Sequence, residues 1–165
     1  MKHLILVPVL FLALGATAQD DILKKGQALP NFTIASETGK GIESASLKQK
    51  VVLINFFATW CGPCLAELPI LQSKVWAKYK DNTNFCLLVM GRGHTDAEIT
   101  AFRARFKFDL PMYPDENKNI YSLFATKYIP RNYLFDTDGK LVYTSTGFVE
   151  TEFEEMVKKL DGLLK

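Results

Sequence analysis

The sequence predicts one α/β domain in three layers, a central mixed β-sheet flanked by helices, and two observations carry that prediction. Val51–Phe57 and Phe85–Met90 are short apolar runs rich in β-branched and aromatic residues, as in strands covered on both faces. Segments with three- and four-residue apolar spacing follow each of them, so strands and helices alternate until a hairpin and a helix close the chain. At 165 residues, 48% hydrophobic and 23% charged, the chain suits a single domain with a substantial core. With 20 basic against 18 acidic residues the net charge is only +2, and no long run of like charge points to a nucleic-acid or anionic-membrane partner.

The first eighteen residues are of another kind. Met1-Lys2-His3 is a short basic start, Leu4 to Gly15 is almost wholly apolar, and Ala16-Thr17-Ala18 supplies small residues at a cleavage position. This pattern reads as a secretory signal peptide cleaved after Ala18. An apolar stretch of about a dozen residues falls short of the roughly 20 that a membrane-spanning helix needs. No cysteine follows it to carry a lipid, so a soluble periplasmic or secreted protein is expected. Residues 19–28 then form a polar leader, and 29–165 form the domain.

Leu29 to Ala35 alternates apolar and polar side chains and is followed by a turn at Thr38-Gly39-Lys40-Gly41, which predicts an amino-terminal hairpin at the sheet edge. Val51–Phe57 is the central strand. Leu65, Leu68, Leu71, Val75 and Tyr79 predict a helix from about Gly62 to Tyr79, kinked at Pro69. After the strand at Phe85–Met90, Thr95-Asp96-Ala97-Glu98 has the side chains of a capping box and opens a helix ending near Phe106. A short strand at Met112–Asp115, a short helix from Lys118 to Lys127 and a strand from Asn132 to Phe135 follow. Asp138-Gly139 turns the chain into Leu141–Thr144. A second box, Thr151-x-x-Glu154, opens a final helix to Leu164 with Phe153, Met156, Val157, Leu160 and Leu164 on one face.

Three cysteines are present, and only Cys61 and Cys64 are close in sequence. A scaffold stapled by disulfides shows more cysteines at wider spacing, so this pair reads as reactive. Exchange with a disulfide requires a thiolate, hence a depressed pKa and an accessible sulfur. Cys61 lies where a buried strand ends and a helix begins, so unpaired backbone N–H groups and the helix dipole favour its anion. With two residues between them, Cys64 lies about one turn on and is placed to resolve a mixed disulfide. The competing readings are a zinc ligand pair and an inert disulfide. Zinc needs further ligands, and Cys86 and His94 have no partner at ligand spacing. No metal and no cofactor are called for.

Trp60-Cys61-Gly62-Pro63-Cys64 resembles the active-site pentapeptide of thioredoxins, on the strand-to-helix turn where that family carries it. Pro69 resembles the family's kink proline, and Ile129-Pro130, ahead of a strand, its cis-proline loop. The secretion signal, the Cys64-x-x-Glu67-x-Pro69 spacing and the added strand-helix segment from Cys86 to Phe106 are similar to the TlpA/ResA branch of extracytoplasmic thioredoxins. The resemblance spans Leu29 to Lys165. It implies a thioredoxin-like fold with an amino-terminal hairpin and an inserted strand-helix segment, and a thiol-disulfide oxidoreductase that reduces protein disulfides. Cys61 and Cys64 would then be the catalytic pair and redox-active disulfide. Trp60, Gly62, Pro63, Ile129 and Pro130 would bind substrate. Disulfide-containing client proteins and a membrane-embedded electron donor would be the partners of a monomer.

The chain departs from cytoplasmic thioredoxins at Asn55, which stands where they carry a buried aspartate that moves the resolving cysteine's proton. Glu67, one turn along the helix, is the substitute candidate for proton transfer. Cys86 is expected to be a buried, inert thiol, and His94 a surface loop residue. Arg131-Asn132 replace the small residues common in relatives and are candidates for tuning partner choice. Oxidase or isomerase work, or reduction of a Cys-x-x-Cys-His client in cytochrome c maturation, are alternatives with the same dithiol. A peroxidase is opposed by the missing Pro-x-x-x-Thr-x-x-Cys signature, since Phe57-Ala58-Thr59-Trp60 precedes Cys61. A non-enzymatic docking module for copper would call for CxxxC and a distal histidine.

Overall fold

The structure is a computed structural model that describes residues 21–35 and 41–165. The signal-peptide reading of residues 1–18 and most of the predicted turn at 38–41 lie outside the described residues. Among these, no helix is long and apolar enough to cross a membrane.

Five strands form the main sheet in the order β5-β4-β3-β6-β7. Strand β3 (Val51–Phe57) is its centre, and all seven of its residues are buried. It pairs in parallel with β4 (Phe85–Arg92) and antiparallel with β6 (Arg131–Phe135). Beyond these lie β5 (Met112–Asp115), parallel to β4, and β7 (Leu141–Thr146), antiparallel to β6. The mixed sheet of the sequence reading is thus present, and the uninterrupted apolar runs mark its middle because a strand covered on both faces has no polar face to alternate with.

Period-two alternation sends the central strands' side chains to two cores. Leu53, Phe57, Leu87 and Val89 meet α1 (Gly62–Leu71), α3 (Asp96–Phe106) and α4 (Glu150–Leu163) through Leu68, Leu71, Phe102, Met156 and Leu160. On the other face Val52, Ile54, Phe56 and Tyr133 meet Leu23, Ile34, Leu47, Tyr121 and Phe124. That second cover is made of the amino-terminal segment and two short 3-10 turns, Ser44–Leu47 and Tyr121–Leu123.

Four local expectations differ from the structure. The hairpin is present as β1 (Thr33–Ile34) and β2 (Ile42–Glu43), but it forms its own two-stranded sheet and not an edge of the main one. Ile34, Leu47 and the half-buried Phe32 spend their apolar surface covering a sheet face, which draws the segment above the sheet. The predicted helix from Lys118 to Lys127 shrinks to the 3-10 turn Tyr121–Leu123. Asp115 takes the N–H groups of Ile120 and Tyr121, while Ile22 and Leu23 donate to the Phe124 carbonyl, so a continuing helix loses its partners to other groups.

The Gly62–Tyr79 helix runs as expected, but its irregularity falls beyond Pro69. A π turn, Gln72–Trp76, separates α1 from α2 (Ala77–Tyr79), and its two end residues both bind Asp109. Helix α4 starts at Glu150, one residue ahead of the expected Thr151 box, behind Val149, with no side-chain cap. Phe148 packs edge-on against Phe153, 6.0 Å between ring centres, and this hydrophobic staple sets the start in place of a hydroxyl.

Residues 21–28, the leader of the sequence reading, run along the domain with isolated bridges at Asp21–Ala125 and Ala28–Lys140. By contrast with Thr151, the Thr95 box closes in both directions, Glu98 N–H to Thr95 Oγ1 and Thr95 N–H to Glu98 Oε2. Thr95→Ala should therefore cost about 1 kcal/mol in urea unfolding. Thr151→Ala should stay within about 0.5 kcal/mol, because alanine favours the helix and no cap is lost.

Candidate active site

The site grows from the end of β3. After Phe57 the chain passes through buried Ala58 and turns at Thr59-Trp60, and Cys61 N–H donates to the Ala58 carbonyl at 3.2 Å. Cys61 has an extended backbone (φ −87, ψ 108) and is the N-cap of α1. Its sulfur accepts the Cys64 N–H at 3.3 Å, a bond that a capping side chain makes to the first turn. Pro63 is tolerated behind it because the first helical N–H groups have no partner within the helix. Cys61 and Cys64 are joined as a disulfide with their Cα atoms 5.3 Å apart. The two are unequal: Cys61 keeps 6% exposure and Cys64 none.

The surroundings differ above and below the pair. Trp60 is 70% exposed beside it. Across the sulfurs the Ile129–Pro130 peptide is cis, and the Ile129 carbonyl lies 3.8 Å from Cys61 Sγ. Gly147 N–H donates to the Pro130 carbonyl at 2.8 Å, which ties this loop to the end of β7.

Below Cys64, one turn along α1, Glu67 is 1% exposed. Asn55 and Asn132 face one another across β3 and β6, and the Glu67 carboxylate reaches both. Asn55 Nδ2 donates to Glu67 Oε2 at 3.3 Å and to Asn132 Oδ1 at 2.9 Å, and Asn132 Nδ2 donates to Glu67 Oε1. Burial pushes the carboxyl up to about 7 although both amides oppose the rise by stabilising the anion. Among the described residues, Asn55 Oδ1 has no hydrogen-bond partner.

Several sequence expectations need correction here. His94 is buried, not a surface loop residue: its ring stacks on Phe57 at 6.5 Å. Its Nε2 accepts the Thr59 N–H at 3.1 Å, two residues before Cys61, and its Nδ1 lies 3.4 Å from Glu98 Oε2. The glycines that flank it read as a loop, and nothing local shows that the loop folds back onto the end of β3. Arg131 and Asn132 are each 1% exposed and cannot meet a partner directly. Asn132, a bonding partner of Glu67 from 65 residues away, carries no sequence signal that would have found it. Cys86 pairs with Val52, at the end of the strands remote from Cys61, and burial raises its thiol. Among the described residues no group of three His, Cys, Asp or Glu is placed to hold a metal ion.

A disulfide at the start of a helix, fed by a buried strand and faced by a cis-prolyl peptide across a mixed sheet, defines a thioredoxin-like thiol-disulfide oxidoreductase. The chain belongs to the Redoxin family, whose sequence model matches residues 24–164. It is 30% identical over 151 residues to the thiol-disulfide oxidoreductase ResA of Bacillus thuringiensis (strain Al Hakam), covering 92% of this chain and 83% of that one. Against ResA of Bacillus subtilis (strain 168) the identity is 28% over 163 residues, covering 95% of this chain and 88% of that one. Among solved structures, a proposed protein disulfide isomerase from Bacteroides thetaiotaomicron superposes with TM-score 0.83 at 33% identity, covering 88% and 92% of the two chains. A proposed thiol:disulfide interchange protein DsbE from Chlorobium tepidum shares the fold, with TM-score 0.76 at 24% identity over 87% and 99%. The chain is thus an enzyme of the thiol-disulfide oxidoreductase class, and its substrates contain disulfides.

Glu67 makes stability depend on pH with a definite sign. Its carboxyl titrates near 4.5 in the unfolded chain and near 7 in the fold, so the folded state binds the proton more tightly. The ionisation penalty is absent below about pH 4.5, grows as pH rises and is complete above about pH 7, where it reaches on the order of 3 kcal/mol. Glu67→Gln should therefore gain stability relative to the native chain between about pH 5 and about pH 8, read by urea unfolding across that range.

Proposed function

We propose that this chain is an extracytoplasmic protein disulfide reductase. The observation that carries the proposal is the inequality of the pair: Cys61 alone reaches the surface, and its sulfur takes a backbone N–H at the positive end of α1. Both the hydrogen bond and the dipole favour a thiolate there. The signal-like residues 1–18 support action outside the cytoplasm.

In the reduced enzyme the Cys61 thiolate attacks one sulfur of a client disulfide. A Cys61–client disulfide forms, the client S–S bond breaks, and one client thiolate leaves and takes up a proton. Cys64, losing its proton, attacks Cys61 Sγ, releases the second client thiol and closes the Cys61–Cys64 disulfide. The client has gained two electrons and two protons. A membrane-embedded dithiol donor returns them to the enzyme, which acts as a monomer.

Glu67 is the acceptor for the Cys64 proton. It lies one turn along the same helix face, and its carboxyl titrates near neutrality. Trp60, Gly62, Pro63, Ile129 and Pro130 form the docking edge around Cys61. Pro130 leaves the Ile129 backbone free to pair with an extended client.

Cys64→Ser should strand clients as mixed disulfides on Cys61, and the native enzyme should reduce insulin. No trapped protein together with no insulin reduction would favour a docking module over an enzyme. A reduction potential near roughly −270 mV supports a reductase, whereas one near roughly −120 mV assigns the pair to oxidation. With Glu67→Gln, the rise in turnover that the native enzyme shows through about pH 7 should be lost; an unchanged profile would remove Glu67 from the proton path.

A further inference from the structure

On the sheet face opposite Glu67 lies a polar cluster that the redox chemistry does not use. Arg131 directly follows Pro130, and side-chain alternation along β6 sends it away from Asn132 toward the amino-terminal segment. Its Nε donates to the carbonyls of Lys127 at 2.9 Å and Tyr128 at 3.2 Å. Its Nη1 donates to the Asp21 carboxylate and lies 3.4 Å from Tyr133 Oη. Tyr133 Oη donates to the same Asp21 oxygen at 2.6 Å, and Tyr121 Oη donates to the Tyr128 carbonyl at 2.8 Å. Tyr128 has φ 68, a left-handed backbone that aromatic residues rarely adopt, so the two donors on its carbonyl hold a conformation it would not choose alone. Its ring is 57% exposed, immediately before Ile129.

Asp21 is itself held in place. It bridges Ala125 through its backbone, and Ile22 N–H donates to the Phe124 carbonyl at 2.9 Å. A guanidinium as deeply buried as that of Arg131 requires a counter-charge, because an unpaired buried charge is costly. Among the described residues, the carboxylate paired with it is that of Asp21.

We propose that Asp21, acting through Arg131, is a positioning residue for client docking. The ion pair fixes the Lys127 and Tyr128 carbonyls, and through them the register at which Ile129 and Pro130 present their backbone to an extended client beside Cys61. A residue of the leader thereby governs an edge more than a hundred positions away in the chain, at a separation of 110 residues from Arg131. The inference rests on the reduction of protein disulfides proposed above.

The test compares two substrates in the full chain, insulin and the small soluble hydroxyethyl disulfide, which has no backbone to pair with Ile129. In Asp21→Ala the KM for insulin should rise about tenfold more than that for hydroxyethyl disulfide, and the Gly147 amide, which is bonded to the Pro130 carbonyl, should exchange its hydrogen faster. Asp21→Glu should restore part of both. Arg131→Lys, which keeps the charge but cannot fork onto two carbonyls and a carboxylate, should show the same selective loss. The double variant should be no worse than the poorer single one. Equal losses on both substrates, or an unchanged insulin KM, would overturn the assignment. If the native chain reduces neither substrate, the reductase reading fails, and the Gly147 exchange rate alone decides the positioning role: faster exchange in Asp21→Ala supports it, and unchanged exchange ends it.

Discussion

Everything at the site depends on one junction, the point where β3 stops and α1 starts. A strand buried over all seven residues delivers the chain to the C-terminal edge of the parallel part of the sheet. The helix that follows must begin there with its first N–H groups unpaired. Placing a cysteine sulfur at that cap meets two needs at once: the helix gains an acceptor for the Cys64 N–H, and the sulfur gains a donor that stabilises its anion. The redox centre is in this sense a helix cap made of sulfur.

The same junction explains why the acid sits where it does. Asn55 on β3 supplies only an amide, and the carboxyl it meets belongs to Glu67 on the helix. The carboxyl is close to Cys64 along α1 and is held from the sheet by Asn55 and Asn132, so it is at once desolvated and hydrogen-bonded. Desolvation outweighs the two amide bonds, which leaves a group able to take or return a proton near neutrality. The cost falls on folding stability and is the kind of local conflict expected at a functional site.

The two faces of β6 divide the labour. Asn132 turns to the helix side and completes the Glu67 cage, while Arg131 turns to the amino-terminal side and gathers the carbonyls of Lys127 and Tyr128 ahead of β6. His94 adds a third tether by accepting the Thr59 N–H just ahead of the cysteines. The reactive pair is thus held from both sides of the sheet and from the loop after β4.

The sequence by itself determined the elements whose signal is local. The apolar runs marked β3 and β4, the Thr95–Glu98 box marked α3, and Cys61-Gly62-Pro63-Cys64 marked the redox pair, because burial on both faces, helix capping and a two-residue spacing are each written within a few neighbouring positions. The Thr151 box had the same letters and no cap, since the Phe148–Phe153 contact started α4 earlier. The predicted 118–127 helix gave way when Asp115 and the leader claimed its hydrogen-bonding groups. Tertiary structure alone decided the burial of His94, the Asn55–Glu67–Asn132 cage and the Asp21–Arg131 pair. Their partners are brought together by sheet register and chain return across tens of residues, and no local pattern records which distant side chain will arrive to satisfy a buried polar group.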